Sequence, residues 1–147
     1  MLLSKEVAVE LNLTHCKLKQ FMATMLKLKN IDLTPEQFLL IDLLWNQGSL
    51  SQQQLADTMQ KDKNSITKLI DAIEQKGYVV RKQNPPDRRS NTIVLTDKAH
   101  DLKLEAKSVG ISLLDKMIDG ISEGEIKSFI DIMRKISQNM SISESKE

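Results

Sequence analysis

Several things are scarce in this chain. One cysteine, Cys16, among 147 residues rules out an intrachain disulfide and any Cys-rich metal site, so the framework has to be noncovalent. Aromatic residues make up only 3%, against 40% hydrophobic and 28% charged; aliphatic side chains and seven methionines must therefore fill the core. Apolar runs are short: Phe38-Leu39-Leu40-Ile41 is cut by Asp42, far below the roughly 20 residues that span a bilayer. The opening stretch MLLSKEVAVE has early acidic residues and no apolar h-region, so it does not read as a secretory signal, and a cytoplasmic protein is expected. The same proportions exclude disorder and collagen-like repeats. The length suits one domain with a single sizeable core and an appended helical layer.

The net charge of +1 conceals an asymmetry. Residues 1–60 hold 5 basic and 6 acidic groups, residues 61–98 hold 9 and 5, and residues 99–147 hold 7 and 9. A basic block between neutral or acidic flanks focuses positive potential on one surface, as a phosphate-binding module requires; the alternative is a solvated charged face.

Periodicity organises the chain as mostly helical. From Ser4 to Lys29, Val7, Leu11, Leu18, Met22, Met25 and Leu26 recur at spacings of three, four and seven, which predicts one long amphipathic helix. Thr34 with Pro35 and Gln37 forms a start signal and capping box for a helix over 35–47, closed by Gly48. Ser51 with Gln54 boxes a brief helix over 52–59. Asp62 can cap a fourth, whose Ile66, Leu69, Ile70 and Ile73 fall at i, i+3, i+4 and i+7 before Gly77. The runs Tyr78–Lys82 and Thr92–Leu95 are β-rich, and the turn-rich residues 84–91 between them predict a hairpin with a long tip, the only sheet signal. Thr96 can cap a helix over about 97–119, and Ser122 with Glu125 boxes a last one carrying Ile126, Phe129, Ile130, Met133 and Met140, before a polar tail, SISESKE.

Two helices joined by a short turn and followed by a basic hairpin form the order of a winged helix-turn-helix, whose second helix can enter a DNA major groove. On the fourth helix, Asn64 and Lys68 lie opposite the isoleucine stripe, with Ser65 and Thr67 at the flanks and Lys63 at the start. These groups hydrogen-bond base edges and phosphates near a helix N-terminus, whose dipole favours phosphate. At the hairpin tip Asp87, Arg88 and Arg89 place guanidinium groups where a minor groove would attract them, with Asp87 set to orient Arg89, and Pro85 and Pro86 stiffening the loop. The alternatives are an ordinary solvated face and a solubilising turn.

The run SLSQQQLADTMQKDKNSITKLIDAIEQKGYVVRKQNPPDRRSNTIVLTDKA strongly resembles the MarR (multiple antibiotic resistance regulator) family of bacterial transcription regulators. The resemblance extends over nearly the whole chain, with a long helix before the run and two after it. It departs from the family at Ala99 and His100, where glycine commonly follows the lysine of LTDK, and at Pro85 and Pro86, where acidic residues commonly stand. It implies a homodimer whose terminal helices interlock. It also implies a cavity between those helices and the DNA lobes, where a small phenolic or lipophilic effector releases DNA. Apolar stripes on the first and last two helices exceed what one small core can cover, which independently favours self-association. The expected division is residues 1–33 as N-terminal dimerisation helix, 34–98 as winged DNA-binding lobe with recognition helix about 62–77 and wing about 79–95, and 99–147 as C-terminal dimerisation helices. The expected partners are double-stranded DNA and a second copy, with no membrane.

Other residues carry less. Some relatives sense peroxide through a cysteine in the first helix with tyrosines around it; here the one tyrosine is Tyr78, so Cys16 reads as a small, at least partly buried apolar group. His15 and His100 lack a neighbouring Cys or acidic cluster, so no metal is expected. Trp45 reads as the anchor between the second helix and the core, or as a cavity wall. With no nucleophile–base pair, Gly-rich phosphate loop or supported carboxylate pair, neither an enzyme nor a cofactor is expected. The rival to DNA binding is a winged helix whose hairpin contacts a protein, against which the Asp87-Arg88-Arg89 tip argues.

Overall fold

The structure, a computed structural model, describes residues 2–84 and 87–144, without the side chains of 84, 87–90, 108, 109, 112, 113 and 142–144. In chain order the elements are α1 (Leu3–Leu28), α2 (Pro35–Gln47), β1 (Leu50–Ser51), α3 (Gln52–Met59), α4 (Lys63–Gln75), β2 (Val79–Asn84), β3 (Asp87–Leu95), α5 (Asp97–Met117) and α6 (Glu123–Glu144). The chain divides into two compact units, residues 1–106 and 107–147. The mostly helical winged fold follows the periodicity closely, because caps at the helix starts are local chemistry.

In α2 and α3 the boxes are complete. Thr34 Oγ1 accepts from Gln37 N at 3.2 Å while Gln37 Oε1 accepts from Thr34 N at 3.1 Å, and Ser51 and Gln54 repeat the exchange at 3.0 and 2.8 Å. At the start of α4, Asp62 Oδ1 accepts from Ser65 N at 2.7 Å. Its far end closes in a Schellman turn: Gly77, at φ +86°, donates to Glu74 O, and Tyr78 donates to Ile73 O, both at 3.0 Å. Thr96 starts α5, accepting weakly from Ala99 N at 3.4 Å while donating to Gly77 O at 2.6 Å. Ala99 is fully buried there, so the departure from glycine is accommodated.

The core of the first unit is aliphatic, as the composition requires. Leu40 and Ile41 of α2, Leu55 of α3, Ile66, Ile70 and Ile73 of α4 and Ile93 of β3 are all 0% exposed. Leu26 of α1 and the following Ile31 and Leu33 join them. Trp45 donates its indole N–H to Ala99 O at 3.1 Å and meets Phe38 edge-on at 5.7 Å, tying α2 to the start of α5.

The sheet differs from expectation in two ways. It has three strands, ordered β1-β3-β2 and antiparallel, with Leu50 opposite Ile93 and Ser51 opposite Thr92. Two residues are too few to produce an alternation pattern, and β1 exists because β3 offers a free edge beside it. The wing strands also run further than the turn-rich composition suggested. β2 and β3 pair from Val79↔Leu95 out to Gln83↔Asn91, and after a register shift Asn84 pairs with Asp87. Residues 88–90 therefore intervene between two registers of one strand rather than forming part of a free loop.

Candidate nucleic-acid interface

Helix α4 is where the polar groups converge. Its isoleucines anchor one face in the core, which turns Asn64, Ser65 and Lys68 outward to exposed positions within the first two turns. The Ser65 N–H beside the Asp62 carboxylate holds that carboxyl below its ordinary value, so the cap is ionised at neutral pH. Lys63 is also exposed. It lines an open cleft of about 260 Å³ with Ser51, Gln52, Gln53, Ala56, Ile66 and Asn91, where the starts of α3 and α4 face the wing strand β3.

Thr67 differs from its neighbours. It is half-buried, and its hydroxyl donates to Lys63 O at 2.8 Å and accepts from Gln52 Nε2 at 2.6 Å. The structure thus brings Lys63, Asn64, Ser65 and Lys68 to one accessible end of α4 and engages Thr67 within the helix-turn-helix.

Asp87, Arg88 and Arg89 begin β3 rather than a loop, and their side chains lie outside the described residues, as do Pro85 and Pro86 altogether. A residue the sequence reading passed over ties the wing to α4. From β2, Arg81 reaches α4 with Nη1 2.7 Å from Glu74 Oε1 and Nη2 2.5 Å from Asp71 Oδ1, and its own N–H donates to Glu74 Oε2 at 3.2 Å. Nη2 also donates to Thr67 O at 3.4 Å. The planar fork of arginine suits two carboxylates one turn apart. Asp71 and Glu74, spaced i and i+3 on α4, were the available signal; which cation they face depends on the hairpin's path.

Lysines hold the C-terminal end of α4. Lys76 Nζ donates to Asp32 O and Gln37 Oε1, each at 3.0 Å, joining the end of α4 to the start of α2. Lys98 Nζ donates to Lys76 O at 2.6 Å and lies 4.5 Å above the Tyr78 ring. Burial, and then the Asp32 carboxylate, push the Tyr78 hydroxyl above its usual value.

Cys16 is exposed on α1, contrary to the expectation of a covered thiol. Helix α1 buries side chains in the first unit only in its C-terminal half, at Leu26, with Leu18, Phe21, Met22 and Met25 half-buried. His15 and His100 are exposed too, and among the described residues no group of three or more His, Cys, Asp or Glu could hold a metal ion. No described helix is long and apolar enough to cross a membrane.

Residues 33–91 match the MarR family. The HTH-type transcriptional regulator MhqR of Bacillus subtilis is 30% identical over 107 residues, spanning 73% of this chain and 74% of that protein. A mutant MarR from E. coli complexed with operator DNA has a similar structure, with a TM-score of 0.82 at 19% identity over 89% of this chain and 93% of that one. So has Bordetella bronchiseptica BpsR, whose DNA binding is regulated by 6-hydroxynicotinic acid, with a TM-score of 0.79 at 19% identity over 90% and 98%. At such identities the structural likeness establishes a shared fold.

Proposed function

The chain belongs to the MarR family, and on that premise we propose that it is a homodimeric, sequence-specific repressor that a small molecule releases from its operator. It is a DNA-binding transcriptional regulator. The observation that carries the reading is α4: three isoleucines at 0% exposure lock one face, leaving Lys63, Asn64, Ser65 and Lys68 accessible at the end where the helix dipole favours phosphate. Residues 34–98 act as the DNA lobe, with α4 in the major groove and Arg88 and Arg89 of the wing in the flanking minor groove, Arg89 the deeper.

Residues 1–33 and 99–147 act as the dimerisation helices. Supporting this, Leu3 (76% exposed) and Leu13 (60%) on α1, and Phe129 (54%), Ile132 (52%) and Met140 (62%) on α6, stand uncovered in the single chain. Apolar stripes of that length call for a second copy. Two-fold symmetry then sets half-sites about one helical turn, roughly 10 bp, apart. Release follows if a phenolic or lipophilic effector binds the DNA-incompetent spacing of the lobes more tightly, since equal affinity shifts nothing.

The test is a pull-down of fragmented genomic DNA at two salt concentrations, with the mass of the protein in solution measured alongside. An enriched inverted repeat, lost as salt rises, together with a dimer mass is expected. A monomer that enriches no sequence at either salt concentration overturns the reading.

A further inference from the structure

Counting protons at the α3–α4 junction leads to a residue outside the groups assigned above. A threonine hydroxyl has one proton and two lone pairs. In Thr67 the proton is committed to Lys63 O at 2.8 Å, and one lone pair is taken by the amide of Gln52, the first residue of α3, at 2.6 Å. With the proton on Lys63 O, the contact to Gln52 is satisfied only by the amide nitrogen, so the network itself sets which way the carboxamide faces. The hydroxyl has no proton left to offer, and what remains to it is a single lone pair.

We propose that Gln52 is a positioning residue for base recognition: its amide donates to the Thr67 hydroxyl, whose proton Lys63 O already holds, and so aims the one remaining lone pair at a base with an exocyclic amino group, adenine N6 or cytosine N4, in the major groove. Phosphate oxygens and the guanine O6 or N7 edge are acceptors, and a lone pair repels them. A freely rotating threonine tolerates donors and acceptors alike, so the selectivity comes from the two bonds together as a relay, Lys63 O holding the proton and Gln52 fixing the direction of the free lone pair. The backbone of the same residue is held from the other side, where Arg81 Nη2 donates to Thr67 O at 3.4 Å. The inference rests on α4 being the recognition helix.

The test compares operator selection from a randomised duplex pool by the full-length protein and by Thr67→Val, Gln52→Met and the double variant. Valine and methionine keep the shape of each side chain and remove its hydrogen bonding. Wild type should favour A or C at one position of each half-site, and Thr67→Val should lose roughly tenfold discrimination at that position only, the lower part of the range for a base contact. Gln52→Met should lose discrimination at the same position, and the double variant should match Thr67→Val. A Gln52→Met effect at another position, a uniform loss at all positions, an additive double variant or unchanged preferences would overturn the relay while leaving the regulator intact. A wild-type protein with no sequence preference overturns the DNA-binding reading and the relay with it.

Discussion

Arg81→Ala is the sharpest test of how the wing is built. The substitution removes a guanidinium whose side chain is 20% exposed and which bridges Asp71 and Glu74, themselves 60% and 39% exposed. Hydrogen bonds to charged groups contribute about 1.5–3 kcal/mol each, while open surface pairs contribute about 0–1. Water screens the two carboxylates here, so the sum is discounted to about 1–2 kcal/mol for the alanine variant. For a chain of this size that corresponds to a fall in Tm of about 3 to 8 °C. Arg81→Lys should recover less than half, because an ammonium is a point charge that cannot address two carboxylates through a planar fork. Thermal unfolding of Arg81→Ala, Asp71→Ala, Glu74→Ala and the double variants supplies the coupling energies. A Tm within about 1 °C of wild type, with no coupling to either carboxylate, would show that the contacts contribute nothing and that strand pairing alone sets the wing. Operator affinity should fall in Arg81→Ala more than stability accounts for, since the wing and α4 then lose their common reference.

Further outcomes are expected. Arg89→Ala should weaken binding at every site, whereas Asn64→Ala or Lys68→Ala should also change base preference, by about 1–3 kcal/mol for a good base contact, in titrations against operator variants. Ile70→Ala should destabilise by about 2–5 kcal/mol in urea unfolding, because Ile70 is 0% exposed at the centre of the core. Asp62→Ala should be less stable than wild type at neutral pH, with the gap closing in acid. The folded-state pKa of Asp62 is lowered, so its stabilisation is present above the unfolded value near 3.8 and lost as pH falls through the folded one, which paired Tm measurements across pH will track. Gln60 ends α3 in the left-handed region at φ +53°; relief of that strain outweighs the added chain entropy of glycine, so Gln60→Gly should gain about 0.5–1 kcal/mol in the same unfolding assay.

Most of the fold was legible because its determinants are short-range. The capping residues Thr34, Ser51 and Asp62 act within three residues of themselves, and the isoleucines of α4 announce their burial through spacing alone. The same spacing identifies the opposite face with Asn64 and Lys68. The strand Leu50–Ser51 was not legible, since its pairing depends on where Ile93 and Thr92 arrive. Nor was the reach of the wing, where turn-forming residues are drawn into strand by the neighbouring register.

Local chemistry in the sequence by itself determined the helices, their limits, the composition of the core and which end of α4 is polar. Tertiary structure alone decided which polar groups meet. Arg81 finds Asp71 and Glu74, Lys76 finds Asp32, and Gln52 finds Thr67 only once the hairpin and the helix-turn-helix bring together residues 7 to 44 positions apart. Hydrogen bonds and ion pairs act over a few ångströms of space whatever the separation along the chain, so a pattern of residue types can nominate the partners but cannot pair them.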